Sequence, residues 1–332
     1  MTSEDSACAV IVAFVYHDRM PELPEVQTTA SGLNRRVRGL KIVGVWTDYG
    51  SRFHKGKDSI KDPPYFRYFR RKVSGARIVG VDRKAKNVLI RIEKGRERSV
   101  ILVHMKMTGH LMYGRYILKK NGKEGSWMPA PGEPSSLSDP FNRFIHFVMV
   151  LSDKKHVVLS DMRKFAKVTL IREKDLDRTI HLESIGPDPL EKSFDFKTFK
   201  ERLARKPTGR IKQALMDQGV IAGIGNIYSD EALWRAGLNP EERVRNIPDS
   251  LLKKLHSAIR TVLERGIDFG GDSMSDYRNI DGKPGKFQEH HHAYQKTGEK
   301  CSKPGCKGTI VRKVVGGRSA HFCDKHQRLL VK

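Results

Sequence analysis

The last 32 residues of the chain hold three of its four cysteines, Cys301, Cys306 and Cys323. Four residues separate the first two, sixteen follow, and His326 stands three positions after Cys323. Two close pairs of soft ligands can close a tetrahedron around Zn²⁺. A segment this short cannot bury a sufficient core alone, so the metal supplies its folding energy. The spacing predicts a structural Zn²⁺ site, with His326 preferred as the fourth ligand and His321 as the alternative.

The fourth cysteine, Cys8, is too remote in sequence to prefer as a ligand. Clustering of the others indicates a metal site and not a secreted disulfide framework, which fits a reducing, intracellular compartment. The apolar run of residues 7–16 is too short to cross a bilayer, and it follows Glu4 and Asp5, unlike a signal peptide. We therefore expect no membrane partner.

The chain carries 63 Lys and Arg against 38 Asp and Glu, a formal net charge of +25. This excess favours a polyanionic partner, most simply nucleic acid. Charge alone also fits a solubilising surface or a ribosome-associated RNA binder, so further motifs have to decide.

Short segments rich in Val, Ile and Leu, bounded by turn residues, dominate the region from about Lys41 to Glu173. They predict strands of a β-sandwich or barrel. The Gly/Pro/Ser-rich residues 121–140 indicate a long surface loop. The predicted strands are residues 87–92, 99–105, 144–151, 156–160 and 167–172.

The pattern changes at residues 186–189, Gly-Pro-Asp-Pro, which indicate an interdomain linker. Apolar residues then recur at helical spacing, so residues 195–266 are expected to be mainly helical. Asp249 is a candidate N-cap for the last helix, and Gly266 is a candidate stop.

Three further motifs are Met20-Pro-Glu-Leu-Pro-Glu-Val26, Arg83-Lys-Ala-Lys86 before a strand, and Gly223-Ile-Gly-Asn-Ile-Tyr-Ser-Asp-Glu-Ala-Leu233. Taken alone, each motif also has an interpretation that needs no catalytic function. The first could be a helix start, the second a basic turn, and the third a glycine-rich segment leading into an anion-binding helix. Together with Asp281-Gly-Lys-Pro-Gly285 and the Cys/His module, they resemble the bacterial formamidopyrimidine-DNA glycosylases. The resemblance runs from Met20 to about Gln327. Leu23 favours this branch over the endonuclease VIII branch.

The resemblance implies an α+β fold: an N-terminal β-sandwich, a helical domain with a helix–two-turn–helix motif, and a C-terminal zinc finger. DNA would lie in a cleft between the first two. The chain would divide into an extension (1–19), a catalytic domain (21–173), a linker (174–194), a DNA-binding domain with a lid loop (195–297) and a zinc finger (298–328).

The family's nucleophile is an N-terminal proline, which maps to Pro21. Its secondary amine would attack the sugar and form an iminium ion, and β- and δ-elimination would follow. Glu22 matches the proton donor, and burial is expected to raise its pKa, whereas Glu25 is the better candidate for capping the first helix. Lys86 matches the lysine of β-elimination. Arg318, on an expected hairpin tip, matches the arginine of δ-elimination.

The base has to be flipped out of the duplex, and Met107, Arg163 and Phe165 match the residues that fill the void. Asn226 opens a helix where it can hold a phosphate. The further expected DNA contacts are His146, Lys206 and Lys212. Residues 274–294 would form a lid over the flipped base, and their His290–His292 run is interpreted as solvated.

An internal proline nitrogen is an amide and cannot act as a nucleophile, so residues 1–19 are expected to be absent from the active enzyme. The resemblance implies a monomer in the bacterial cytoplasm, at the nucleoid, that acts on double-stranded DNA with oxidised bases or abasic sites. Two alternatives stay open: an endonuclease VIII-like enzyme for oxidised pyrimidines, and a non-catalytic DNA binder if the extension persists.

Overall fold

The computed structural model describes residues 20–121, 124–274 and 276–330. The expected extension of residues 1–19 lies outside these ranges. Among the described residues, twelve strands and six α-helices form. The strands are β1 Ile42–Thr47, β2 Arg77–Lys84, β3 Asn87–Lys94, β4 Glu97–His104, β5 Gly109–Gly114, β6 Tyr116–Asn121, β7 Glu124–Pro129, β8 Ile145–Leu151, β9 His156–Asp161, β10 Lys167–Arg172, β11 Ile310–Val315 and β12 Arg318–Cys323. The helices are α1 Leu23–Val37, α2 Pro63–Val73, α3 Phe196–Leu203, α4 Ile211–Met216, α5 Asn226–Ala236 and α6 Asp249–Asp268.

Two antiparallel four-stranded sheets, in the orders β1-β8-β9-β5 and β10-β4-β3-β2, form a sandwich. Side chains alternate between the two faces of a strand. In β3, Val88, Ile90 and Ile92 join the main core, whereas Leu89 packs in a smaller cluster on the opposite face. The expected sandwich and all five predicted strands are confirmed.

Half of the expected loop at residues 121–140 is instead structured. Strands β6 and β7 pair as a hairpin, and short 3₁₀ turns follow at Ser135–Ser138 and Pro140–Arg143. The Trp127 ring packs against Trp46 at 6.0 Å between ring centroids. Partial burial of this large aromatic side chain holds the hairpin against the sandwich. The Gly, Pro and Ser content of the segment did not predict this hairpin.

Helices α3 to α6 build a second core, which also takes in Leu23 from the start of α1. Two details of α6 differ from expectation: Asp249 is its first residue and not its cap, and the helix continues past Gly266 to Asp268. Position 266 requires a glycine because the Tyr228 ring packs against it. A Cβ at this position would lie 2.5 Å from Tyr228 Cε1. The α+β class and the predominantly helical second region are confirmed.

No helix of the described residues has both the length and the apolar character needed to span a membrane.

Candidate active site

A cavity of about 650 Å³ lies between the sandwich and the helical region. It contains seven of the residues that the sequence singled out, brought together from positions almost 300 residues apart. These are Glu22, Lys86, Met107, Arg163, Phe165, Asn226 and Arg318.

The Glu22 carboxylate is buried and points at the start of α5. Its Oε2 accepts the Gly225 N–H at 2.6 Å, and its Oε1 accepts the Ile227 N–H at 2.9 Å. Removal from water disfavours the charged form. Burial therefore raises the pKa of Glu22, while Lys86 and the backbone N–H groups act in the opposite direction. A carboxyl group with a raised pKa can hold a proton to donate, as the sequence predicted.

Gly225 lets these groups approach each other. A Cβ at this position would lie 2.4 Å from Glu22 Cδ and 2.7 Å from Lys86 Nζ. Gly223 has a different reason: its φ is +85°, which favours glycine, and its carbonyl accepts the Leu23 N–H at 3.0 Å. The glycines of the 223–225 motif thus position the two acid–base side chains.

Lys86 lies in the two-residue turn between β2 and β3, next to Ala85 with φ of 52°. It is only 6% exposed. Burial lowers the pKa of its ammonium group, and the nearby Glu22 and Glu25 carboxyl groups raise it. A lysine with a lowered pKa can accept a proton nearer neutral pH than an exposed one.

The Glu25 carboxyl group holds the backbone of Glu22 in place. Its Oε2 accepts the Glu22 N–H at 2.7 Å, which is one half of a capping box whose N-cap residue is Glu22, so both glutamates and not Glu25 alone cap α1. Its Oε1 accepts from Tyr228 OH at 2.6 Å and from the Asp272 N–H at 2.7 Å. Burial is the largest cause that raises the pKa of Glu25 to about 7, against the hydrogen bond from Tyr228. This carboxyl group therefore joins three separate segments beneath the cavity.

Met107, Arg163 and Phe165 form one cluster on the sandwich side of the cavity. Arg163 Nη1 lies 3.2 Å from Met107 Sδ, and its guanidinium carbon lies 4.5 Å from the centre of the Phe165 ring. The Phe165 side chain is 48% exposed, although large aromatic residues are usually buried. The three residues expected to fill the void are therefore adjacent.

Arg318 and Asn226 lie on the helical side. Arg318 begins β12 beside a two-glycine turn, at the tip of the β11–β12 hairpin. Asn226 is the first residue of α5, and its Nδ2 lies 3.4 Å from Ser319 Oγ. This contact links the N-terminus of α5, where anions bind well, to the hairpin that carries Arg318.

The metal-ligand set at the C-terminus is Cys301, Cys306, Cys323 and His326, whose ligand atoms all lie within 4.8 Å of one another. Cys306 Sγ is 3.6 Å from Cys323 Sγ, and His326 Nδ1 is 3.4 Å from Cys301 Sγ. Tetrahedral Zn²⁺ with standard bond lengths requires ligand separations of roughly 3.5–3.8 Å, so the residues fit this ion. His326 Nε2 also bonds the Trp234 carbonyl at 3.1 Å, a typical outer contact of a metal-bound histidine.

His321, the alternative fourth ligand, has another partner. Its Nδ1 and backbone N–H lie 3.0 and 2.9 Å from Asp230 Oδ2. His326 is therefore the histidine that completes the metal-ligand set.

Three expected DNA contacts lie outside the cavity. Lys212 is completely buried and pairs with Asp230, so the expectation that it meets a phosphate is corrected. His146 Nδ1 lies 2.9 Å from Asp48 Oδ1. Lys206 is half exposed and pairs with Asp217 at 3.0 Å, so it can still reach a phosphate on the surface.

The expected lid loop packs against the sandwich, and none of its described residues lines the cavity. The Ile280 carbonyl accepts the Tyr113 N–H at 2.8 Å. The solvated interpretation of its histidines is wrong. His291 pairs with Asp272 at 2.8 Å and is buried, while His290 and His292 stack on Phe269 and Trp234 at 3.7 and 4.2 Å.

The sequence missed several side chains that also line the cavity. Two of them are neighbours in sequence of residues that had been singled out: Lys106 precedes Met107, and Lys164 lies between Arg163 and Phe165. The others lie on loops and a helix end that become neighbours of the site only through folding. The missed residues are His54, Lys61, Lys106, Lys164 and Met216.

Comparison with known proteins decides the family. Residues 20–168 match the model of the formamidopyrimidine-DNA glycosylase N-terminal domain, and residues 185–278 match that of the formamidopyrimidine-DNA glycosylase H2TH domain. The chain belongs to the formamidopyrimidine-DNA glycosylase family. It is a DNA glycosylase of base-excision repair.

Formamidopyrimidine-DNA glycosylases of Pelotomaculum thermopropionicum and Bacillus subtilis are each 33% identical to it, over 93% of this chain and 100% and 99% of their own. A solved complex between the Lactococcus lactis enzyme and DNA containing an abasic site has a TM-score of 0.74 at 30% identity, covering 92% of this chain and 99% of that one. A complex of the Lactococcus lactis enzyme with Fapy-dG-containing DNA has the same TM-score at 31% identity.

Proposed function

We propose that this glycosylase removes oxidised purines from duplex DNA and then cuts the strand, with the Pro21 amine as nucleophile. The observation that carries the proposal is the placement of Glu22 and Lys86. Both are buried, both have pKa values shifted towards neutrality, and both lie against Gly225, with Glu22 directly after Pro21 in the chain. The DNA complexes of the Lactococcus lactis relative support a DNA substrate.

In the first step, the nitrogen lone pair of Pro21 forms a bond to the sugar C1′, the bond from C1′ to the base breaks, and the departing base takes up the proton that the Pro21 nitrogen loses. Glu22 gives its proton to the ring oxygen, which opens the sugar and leaves an iminium ion. A proton-holding Glu22 is what its burial favours.

The iminium ion acidifies the C2′ proton, which Lys86 removes as the 3′ phosphate leaves. A second elimination releases the 5′ phosphate, with Arg318 beside the departing anion. A guanidinium group binds phosphate through two parallel hydrogen bonds, and the hairpin tip presents Arg318 to the cavity. The result is a gap of one nucleotide.

Met107, Arg163 and Phe165 would fill the space that the flipped nucleotide leaves. An apolar wedge offsets part of the unstacking cost of a few kcal/mol. Arg163 would hydrogen-bond the orphaned cytosine opposite the lesion. The Asn226 side chain, at the start of α5, would hold a phosphate, with Lys206 as a further contact on the same side.

The metal of the C-terminal module is proposed to be zinc in a structural role, since its four protein ligands leave no open position for substrate. Because the substrate is chromosomal DNA, we place the enzyme at the nucleoid of the bacterial cytoplasm, acting as a monomer.

The decisive test is the state of Pro21 in the active protein. Borohydride trapping on abasic-site DNA is combined with the intact mass of the trapped adduct. We expect a covalent adduct whose protein part begins at Pro21, because only a free amine forms an iminium ion that can be reduced. A chain with a retained Met1 start serves as the control and should give no adduct. An adduct that retains residues 1–19 would show that another nucleophile acts.

Lesion preference is tested separately with duplexes containing 8-oxoguanine or thymine glycol opposite their normal partners. Faster release of 8-oxoguanine is expected. Faster release of thymine glycol would assign the enzyme to the endonuclease VIII-like class without altering the mechanism.

A further inference from the structure

A second concavity, which we call the basic groove, runs along β10 on the outside of the sandwich. Its volume is about 1580 Å³. Eight Lys or Arg residues line it, against four Asp or Glu. The basic groove is formed by residues 57–58, 68, 72, 96–99, 167, 169–175 and 178–181.

Most of the acidic side chains in the basic groove are already neutralised. Glu97 pairs with Lys72 at 2.8 Å, and Asp175 pairs with Arg172 at 2.6 Å. Glu173 pairs with Arg91 at 2.7 Å, a residue outside the groove. These pairs leave an excess of positive charge that the protein itself does not balance.

Four exposed cations of the groove form no ion pair with any described residue: Lys57, Arg96, Lys174 and Arg178. Lys167 lies in the same groove. Burial lowers the pKa of its ammonium group most, Asp58 raises it, and Lys106 and Lys57 lower it by smaller amounts. A bound polyanion would offset the repulsion among these lysines.

The basic groove adjoins the catalytic cavity. Lys164 and Phe165 line the cavity, and Lys167, two residues further on, lines the groove. The segment before α2 forms the wall between them, with His54 and Lys61 on the cavity side and residues 57–58 on the groove side. A single polyanionic ligand can therefore extend from one into the other.

A simpler explanation covers only part of the charge. Strand β10 is an edge strand, and charged side chains on edge strands prevent unwanted pairing. This accounts for Lys167 and Arg172 on the strand. It does not account for Arg96, Lys174 and Arg178, which lie on neighbouring turns outside β10.

We propose that the basic groove holds the sugar–phosphate backbone of the duplex DNA that flanks the lesion on one side. The proposal rests on the function proposed above, which places the lesion in the cavity. The six residues of β10 span roughly 20 Å, enough for about five or six phosphates of one strand. DNA is favoured over an acidic protein because the same duplex already has to enter the adjoining cavity.

The test measures the affinity for a stable abasic-site analogue in three duplexes: a short one, and the same duplex extended by about one helical turn of roughly 10 base pairs on the 5′ side or on the 3′ side only. The groove variant is Arg96→Ala/Lys174→Ala/Arg178→Ala. The control variant is Arg38→Ala/Lys41→Ala/Arg77→Ala, which removes the same charge from exposed residues at or near the opposite edge strand, β2.

For the wild-type protein, one extension should tighten binding and the other should not. In the groove variant that gain should disappear, and the slope of log affinity against log salt should fall by about 0.9 for each lost contact. This corresponds to roughly threefold in affinity for each contact over a fourfold change in salt. The control variant should keep the gain.

The proposal is overturned if neither extension tightens binding, if the groove variant keeps the gain, or if the control loses as much. An acidic protein would then be the better occupant. Binding of the short duplex, and cleavage of the same duplex with a true abasic site, report separately on the proposed function, because that duplex does not reach the basic groove. Wild-type activity on it with no effect of length would contradict the groove alone.

Discussion

Gly225→Ala tests whether the close approach of Glu22 and Lys86 is what makes the site work. The new Cβ would lie 2.4 Å from Glu22 Cδ, 2.6 Å from its Oε1 and 2.7 Å from Lys86 Nζ. The backbone at Gly225 is extended, with φ of −135°, so alanine tolerates the conformation and the cost is steric. The carboxylate has to move, and it then weakens its bonds to the Gly225 and Ile227 N–H groups.

A hydrogen bond to an uncharged group contributes about 0.5–1.5 kcal/mol, and each 1.4 kcal/mol changes a rate about tenfold. Displacement of Glu22 from both of its bonds should therefore slow base excision by roughly 5- to 150-fold. The assay is single-turnover excision on a lesion duplex, with affinity for an abasic-site analogue measured in parallel. Affinity should change less, because Met107, Arg163 and Phe165 contact the DNA from the other side of the cavity.

Gly44→Ala is the matched control. The same substitution in β1 meets no atom within 4 Å, so excision should stay within about twofold of wild type, since surface changes of this kind are nearly neutral. If folded Gly225→Ala protein excises as fast as wild type, the contact among Gly225, Glu22 and Lys86 is not needed, and the assignment of these two side chains fails.

Three further predictions concern stability, pH and metal. Lys212→Ala should destabilise the fold by about 3–5 kcal/mol because it strands a buried carboxylate, whereas Lys206→Ala at an exposed pair should cost about 1 kcal/mol or less; equal shifts in denaturant midpoints would contradict the buried pair. The pKa of Glu25 rises from 4.5 unfolded to about 7 folded, so its contribution is fully present below pH 4.5 and is lost as pH rises through 7. The unfolding free energy of wild type relative to Glu25→Gln should thus fall by about 3 kcal/mol between pH 4.5 and 8; a flat difference refutes the shift. Chelation, or Cys306→Ala, should release one metal ion per chain, make the C-terminal module protease-sensitive and abolish the second, δ-elimination step, and a metal-free chain that still completes that step would exclude the structural role.

The strand pattern and the motifs predicted the sandwich and the pair Glu22–Lys86 because they are local signals. Val, Ile and Leu at alternate positions define a strand wherever it packs. Pro21-Glu22 and Lys86 lie in short contiguous motifs, which can be recognised from the sequence without knowledge of the fold. What periodicity could not supply was the distance between them, which is set by Gly225, about 140 residues beyond Lys86.

Burial of charged residues was the main failure of sequence reasoning. Charged residues lie mostly on protein surfaces. Lys212 was therefore expected to contact DNA at the surface, and His291 was interpreted as solvated. Each is buried because an acidic partner from another segment faces it: Asp230 for Lys212, and Asp272 for His291. Such pairs form only when helices and loops pack together, so no local sequence pattern predicts them.

Helix α5 explains why the motif at residues 223–233 is so rich in polar side chains. A helix exposed on one face would place Asp230 and Glu231 in water, yet both are at most 2% exposed. The first N–H groups of α5 bind Glu22, Tyr228 in its first turn binds Glu25, and Asp230 holds His321 on the hairpin. Glu231 accepts three successive N–H groups from residues 292–294, just before the metal ligands.

The Glu22 carboxyl group and the C-terminal module are therefore both attached to α5, the first at its N-terminus and the second through Asp230, Glu231 and Trp234. Arg318 follows from the same arrangement, because the hairpin that carries it is fixed to α5 through Asp230 and to the metal through Cys323, the last residue of β12. Loss of the metal should then displace Arg318 while leaving Glu22 bound to the start of α5. A metal-depleted enzyme is accordingly expected to lose δ-elimination and DNA affinity before it loses the ability to form the covalent adduct on a short abasic-site duplex.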